Sequence, residues 1–145
     1  MDRERLRQYI AETYGAEPEY PWDRYPGYMV FRHRDGGKWF ALVMDLPKSK
    51  LGLLEPGTLD AVNVKCEPRL IGSLREERGI FPAYHMSKAA WLTVALDGSV
   101  SEEKIRWLVD MSYDLTAKSR KAPPAGLSGR AAAVCEGKRE ENFRA

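Results

Sequence analysis

The sequence predicts an α+β fold, a two-layer sandwich in which helices lie mainly on one face of an antiparallel sheet. Three observations carry that expectation. Apolar residues recur at helical spacing in the segments that start near Arg3 and after Ser99-Val100-Ser101. Two apolar, strand-like runs flank Asp35-Gly36-Gly37, which supplies the positive φ of a tight hairpin. Further strand-like runs at residues 60–66 and 90–96 are separated by a helix that opens at Pro68. The order is therefore helix, hairpin plus third strand, helix, strand, helix.

In the first helix Leu6, Tyr9, Ile10, Thr13 and Tyr14 share a face, and Gly15 supplies the stop. Residues 16–27 hold three prolines, and with Tyr20, Trp22, Tyr25 and the adjacent Tyr28 they read as an ordered loop packed by its rings. Residues 28–32 and 38–44 form the hairpin strands. After the Pro56-Gly57 turn, residues 60–66 alternate well enough for a third strand. Pro68 suits the first turn of a helix running to about Arg78, closed by Gly79. Residues 80–86 read as an irregular connection before the strand at 90–96, which Asp97-Gly98 ends. Ser99 or Ser101 caps the last helix, with Glu102 and Glu103 in the first turn, where the helix dipole favours acids. Ile105, Leu108, Val109, Ser112 and Leu115 mark its buried face.

The 145 residues divide into one domain over 1–117 and a basic tail over 118–145. The tail carries Pro123-Pro124, Gly126 and Gly129 and few large apolar residues, so a mobile extension is expected, with one short helix around residues 130–137. From Lys118 onward there are seven Lys/Arg against three acids, which leaves 16 basic and 18 acidic residues before it. The folded part thus lacks the strongly basic balance of a nucleic-acid binder, and any polyanion contact rests on a local patch or on the tail. Cys66 and Cys135 fit neither a disulfide framework nor a zinc ribbon, which makes a reducing cytoplasm the expected location. The charged Met1-Asp2-Arg3-Glu4-Arg5 start and the lack of an apolar run of ~18 residues disfavour secretion and membrane insertion.

Lys65 lies just before the Pro68 helix, whose free amides favour negative charge, and Lys88 follows in an aromatic segment. Both are candidates for an anion contact, against the alternative of solvated lysines whose stems cover apolar surface. Lys38 opens the second hairpin strand, and Arg32 and Arg34 flank the same tip, which a wing-like hairpin would present to phosphates. Tyr84 and His85, in the irregular segment, are candidates to line a ligand groove, whereas Trp91 is expected in the core. No Cys or carboxylate has ligand spacing to His33 or His85, and no phosphate-cradling glycine motif follows a strand. A Cys66–His85 nucleophile pair is outweighed by a buried, inert cysteine. No catalytic residue, metal or cofactor is expected.

Four blocks stand in a specific order: Lys38-Trp39-Phe40-Ala41-Leu42, Asn63-Val64-Lys65-Cys66-Glu67-Pro68, the run from Phe81-Pro82 through Tyr84-His85 and Lys88 to Trp91, and Ser112-Tyr113-Asp114-Leu115. On these motifs the chain resembles the MmcQ/YjbR family, small bacterial proteins of frataxin-like (CyaY-like) fold, over residues 1–117. The resemblance implies that fold and non-enzymatic DNA binding through a double-wing arrangement. The connection at 47–56 and the basic tail depart from the family pattern. The acidic ridge by which frataxins bind iron is missing, because Asp2, Glu4 and Glu12 on the first helix face Arg3, Arg5 and Arg7.

The reading that follows is DNA binding of weak sequence specificity, with Arg32, Arg34, Lys38, Lys65 and Lys88 as phosphate contacts. The alternative is a protein-interaction or small-anion-binding module in which Tyr84, His85 and the loop at residues 20–28 line an aromatic groove. The slightly acidic core favours the alternative.

Overall fold

Asp2 starts the first helix by accepting a hydrogen bond from the Arg5 amide at 2.9 Å, and Gly15 ends it in the left-handed conformation at φ 69°. Between them α1 (Arg3–Tyr14) buries Leu6 and Ile10, four residues apart and so on one face. The computed structural model describes residues 1–34 and 37–117. The expectations for the tail at 118–145 and for Asp35 and Gly36 lie outside these residues.

Five strands, β1 (Met29–Arg32), β2 (Trp39–Pro47), β3 (Thr58–Lys65), β4 (Ile80–Pro82) and β5 (Trp91–Ala95), pair antiparallel in the order β1-β2-β3-β5-β4. The hairpin between β1 and β2 closes with the His33 amide donating to Lys38 O at 2.8 Å, and Gly37 takes the positive φ expected of it, 70°. Pairing skips a residue between Phe31 and Arg32, which face Ala41 and Trp39, so Phe40 sits in a bulge. That extra residue turns both Phe40 and Ala41 into the helix-side core and sends Trp39 to the opposite face.

The helices α1, α2 (Pro68–Leu74) and α3 (Glu102–Thr116) all pack on one face, through Leu6, Ile10, Ile71, Leu74, Ile105 and Leu108. The α+β sandwich with one-sided helices is therefore as the sequence predicts. Ser101 rather than Ser99 caps α3, accepting from the Lys104 amide at 3.1 Å. At its far end the inward position belongs to Thr116 rather than Leu115, and Thr116 Oγ1 meets His33 Nε2 at 2.8 Å.

Two expectations are corrected. The helix opened by Pro68 stops at Leu74, not Arg78, because Glu76, Glu77 and Arg78 have nothing apolar to bury. The chain instead turns through Gly79, at φ 86° and packed so closely that a Cβ there would meet Ser99 Oγ at 2.4 Å. The start of the supposed irregular connection is a strand: β4 pairs Ile80, Phe81 and Pro82 with Val94, Thr93 and Leu92. Pro82 brings no N–H, which suits an edge.

The face away from the helices is covered as well. Leu42, Met44, Ala61 and Trp91 are buried there beneath Phe81 of β4 and loops that contribute Trp22, Tyr25, Leu51, Leu53 and Tyr84. The proline-broken loop is held by its rings, with Tyr25 stacked on Tyr28 at 4.7 Å and Trp22 edge-on to Tyr28 and Trp39. A long connection between β2 and β3, begun by one 3-10 turn at Lys48–Leu51 and closed by the Lys48 amide donating to Gly57 O at 2.9 Å, brings its side chains to the same roof.

Candidate functional site

Where that connection meets the β4 edge, a cavity of about 220 Å³ opens between Lys50, Leu51 and Gly52 on one side and Phe81, Pro82, Ala83, Tyr84 and Lys88 on the other. Both lysines are exposed, and among the described residues neither ammonium has an ion-pair partner. Leu51, Phe81, Pro82 and Ala83 make the floor apolar. His85 packs its ring on Tyr84, with centroids 3.9 Å apart. Burial first, and then the Lys50 and Lys88 charges, hold its imidazole below the usual histidine range. The two ammonium charges beside the cavity favour negative charge there.

The wall carrying Tyr84 and His85 is fixed from inside the sheet. Asn63 Nδ2 donates to Tyr84 O at 2.8 Å, and the Tyr84 amide donates to Thr93 Oγ1 at 2.9 Å. The Thr93 hydroxyl in turn donates to Asn63 Oδ1 at 2.5 Å. Every polar group of this buried set is thus matched to another, on the face roofed by loops. Immediately after the anchored residue His85 takes φ 68°, a left-handed backbone that a non-glycine side chain enters at about 1–2 kcal/mol. The anchor on Tyr84 holds that turn and aims the imidazole back over the tyrosine ring.

Of the residues singled out in the sequence, the structure brings together Lys88, Tyr84 and His85 and leaves the others elsewhere. Lys65 is 3% exposed, because loops roof the face toward which its strand position turns it. It is not a surface lysine, and an anion at the protein surface does not reach it without rearrangement. Its backbone amide donates to Ser112 Oγ at 2.8 Å, and the same hydroxyl donates to Phe40 O at 2.6 Å, bridging β3 and β2 just beyond the Leu42–Asn63 pair where their ladder ends. Arg32 and Arg34 line a second hollow of about 490 Å³ with Glu17, Glu19 and His33, and Arg32 is paired with Glu19 at 2.9 Å. β1 and β4 are the opposite edges of the sheet, four strand spacings or about 19 Å apart. Lys38 is half-buried beside the hairpin. The loop at residues 20–28 does not line the cavity: Trp22, Tyr25 and Tyr28 pack on one another and on Trp39, and Tyr20 is exposed away from it.

Sequence reasoning missed Lys50, Phe81 and the Asn63–Thr93 anchor. Lys50 had a signal, a short basic Lys48-Ser49-Lys50 run after a strand, but only tertiary folding sets it opposite Lys88. Cys66 is 1% exposed and its thiol is pushed up to about 11 by burial and the Glu67 charge, as expected of an inert buried cysteine. Among the described residues no three His, Cys, Asp or Glu side chains cluster as metal ligands, and no helix is long and apolar enough to cross a membrane.

The motifs named above now stand where they matter: Tyr84 and Lys88 line the cavity, Asn63 holds Tyr84 from within the sheet, His85 packs on Tyr84, and Ser112 ties α3 to the bulge. The family model YjbR matches residues 11–115. The chain belongs to the YjbR family. Among its YjbR relatives, YyaQ of Bacillus subtilis is 38% identical over 116 residues, covering 80% of this chain and 98% of YyaQ. A crystal structure of a Pseudomonas syringae protein superposes with a TM-score of 0.79 at 42% identity, covering 81% of this chain and all of that one. A Deinococcus radiodurans protein, DR2400, shares the YjbR fold at 26% identity with a TM-score of 0.63, over 87% of each chain. These overlaps span the residues that form the cavity.

Proposed function

We propose that this YjbR-family chain is a non-enzymatic binding protein that takes an anionic group at the cavity between Lys50 and Lys88. The single observation that carries the reading is that those two lysines, unpaired among the described residues, line one cavity with Tyr84, whose backbone is anchored from the core. Lysine is a compact point charge with three donors, suited to an anion that arrives with its own geometry. DNA phosphates are the rival occupant. A duplex presents phosphates over an extended surface, whereas Arg32 and Arg34 lie by the β1 edge and Lys50 and Lys88 by the opposite β4 edge, Arg32 is paired with Glu19, and Lys65 is buried. That division favours a small or terminal anion.

The test is titration of the full chain with inorganic phosphate and, separately, with a short DNA duplex, at low and physiological salt. Backbone NMR shifts are followed at Tyr84, His85 and Lys88. Phosphate is expected to shift these amides saturably, and the response is lost in Lys50→Ala and Lys88→Ala. Absence of any response there overturns the reading. Salt-sensitive duplex binding that survives both substitutions but falls in Arg34→Ala and Lys38→Ala replaces it with nucleic-acid binding at the hairpin.

A further inference from the structure

The cavity is larger than its charge requires. A bare phosphate fills only part of about 220 Å³, and beside the Tyr84 ring the remainder is walled by the side chains of Leu51, Phe81 and Pro82, with Ala83 beneath them, none of which offers a hydrogen-bond donor or charge. Free inorganic anions do not repay such a wall, because water displaced from apolar surface by another polar ion returns nothing. The lysines stand at the exposed rim, while Ala83 is fully buried and Phe81 is half-buried.

On the other side of the Phe81-Pro82 ridge lies a hollow of about 440 Å³ that the same two residues help to line. Its charges are mixed, Glu55, Glu77 and Asp97 against Arg75 and Arg78, with Lys104 already paired to Glu77 at 3.3 Å. An anionic end is therefore assigned to the Lys50–Lys88 side, and an uncharged body to the ridge between the two hollows.

Resting on the anion-site reading, we infer that the ligand is a phosphate monoester of an apolar or aromatic body. Its phosphate sits between Lys50 and Lys88, and its body lies over Phe81 and Leu51. Two properties select the phosphate end over a carboxylate. The site offers point-charge lysines and no guanidinium fork, so it reads charge rather than the planar two-oxygen geometry of a carboxylate. It also brings two exposed ammonium groups, Lys50 and Lys88, to one cavity, which matches a dianion better than a monoanion.

The experiment compares phenyl phosphate, inorganic phosphate and benzoate against the unaltered full chain, by calorimetry and by NMR shifts at Phe81, Tyr84 and Lys88. Phenyl phosphate is expected to bind at least about tenfold more tightly than inorganic phosphate, the gain coming from the buried ring, and more tightly than benzoate. Leu51→Ala is expected to remove most of the difference between the two phosphates while leaving inorganic phosphate affinity unchanged. Equal affinity for phenyl phosphate and inorganic phosphate overturns this inference and leaves the anion site standing. Tighter binding of benzoate than of phenyl phosphate overturns the choice of a phosphate ester. Failure of all three probes to move these amides overturns both the inference and the reading beneath it.

Discussion

The Thr93 hydroxyl donates to Asn63 Oδ1 at 2.5 Å, with both side chains fully buried between adjacent strands on the loop-covered face. Two polar residues at facing positions of β3 and β5 are an unusual use of core space. Their remaining valences are spent on one residue, since Asn63 donates to the Tyr84 carbonyl and Thr93 accepts from its amide. The pair therefore works as a clamp on the cavity wall.

Thr93→Val keeps the shape of the clamp and removes its hydroxyl, leaving the Tyr84 amide and Asn63 Oδ1 without their partner. The expected loss is about 1–3 kcal/mol of unfolding free energy in urea. Hydrogen exchange at the Tyr84 amide is expected to quicken in the same variant. An unchanged unfolding midpoint with unchanged exchange would show that the clamp contributes nothing.

The clamp also marks how far the sequence could be read. The helix starts near Arg3 and before Glu102, the Gly37 hairpin and the strand runs around residues 28–32, 38–44, 60–66 and 90–96 follow from local chemistry, because caps, positive φ and apolar patterning are set by neighbours along the chain. Asn63 and Lys65 alternate with Val62 and Val64, a pattern that locally means outward and solvated. They are buried because the loops roof that face, and nothing within β3 announces a roof. β4 was hidden for a related reason: a three-residue segment ending in proline becomes a strand only by pairing with β5. Lys88, Tyr84 and His85 were legible as a group since they are close in sequence. Lys50 joins them through a fold contact that no local pattern encodes.

Ser112 continues the link between β3 and β2 beyond the end of their ladder, accepting from the Lys65 amide and donating to Phe40 O. Ser112→Ala leaves both backbone groups unpaired in a buried setting, so a loss of about 1–3 kcal/mol is expected, measured by urea unfolding. Faster exchange confined to the Lys65 amide separates this effect from a general loosening of α3. Wild-type stability and exchange would mean that the bridge is idle.

The bridge from α1 to α3 gives a pH dependence of known sign. Glu102 takes a bidentate contact from Arg5, at 2.8 and 3.1 Å, and also meets Arg106. The hydrogen bond from Arg5 chiefly, opposed by slight desolvation and aided by Arg106, holds its carboxyl down to about 2. A carboxylate depressed in the folded state stabilises fully above its ordinary value of 4.5, and that contribution is lost as pH falls toward 2. Thermal midpoints of the wild type and Glu102→Gln are expected to differ most above that window and to converge below it. Parallel pH curves for the two proteins would rule the bridge out.

His85 titrates in the opposite sense once a ligand is considered. In the free protein its imidazole is held below the ordinary histidine value of 6.5 by burial and by Lys50 and Lys88. An anion between those lysines offsets their field and raises the imidazole, so binding takes up a proton and affinity rises as pH falls below about 6.5. Benzenesulfonate is the suitable probe, because its charge is fixed over that range and Lys50 and Lys88 stay protonated throughout. His85→Asn removes the titration while keeping a side chain that tolerates the left-handed backbone at φ 68°. The wild type is expected to bind benzenesulfonate more tightly at pH about 5 than at pH about 8, and the variant to bind with one affinity at both. A pH-independent wild type, or a variant with the same slope, would place the anion away from His85.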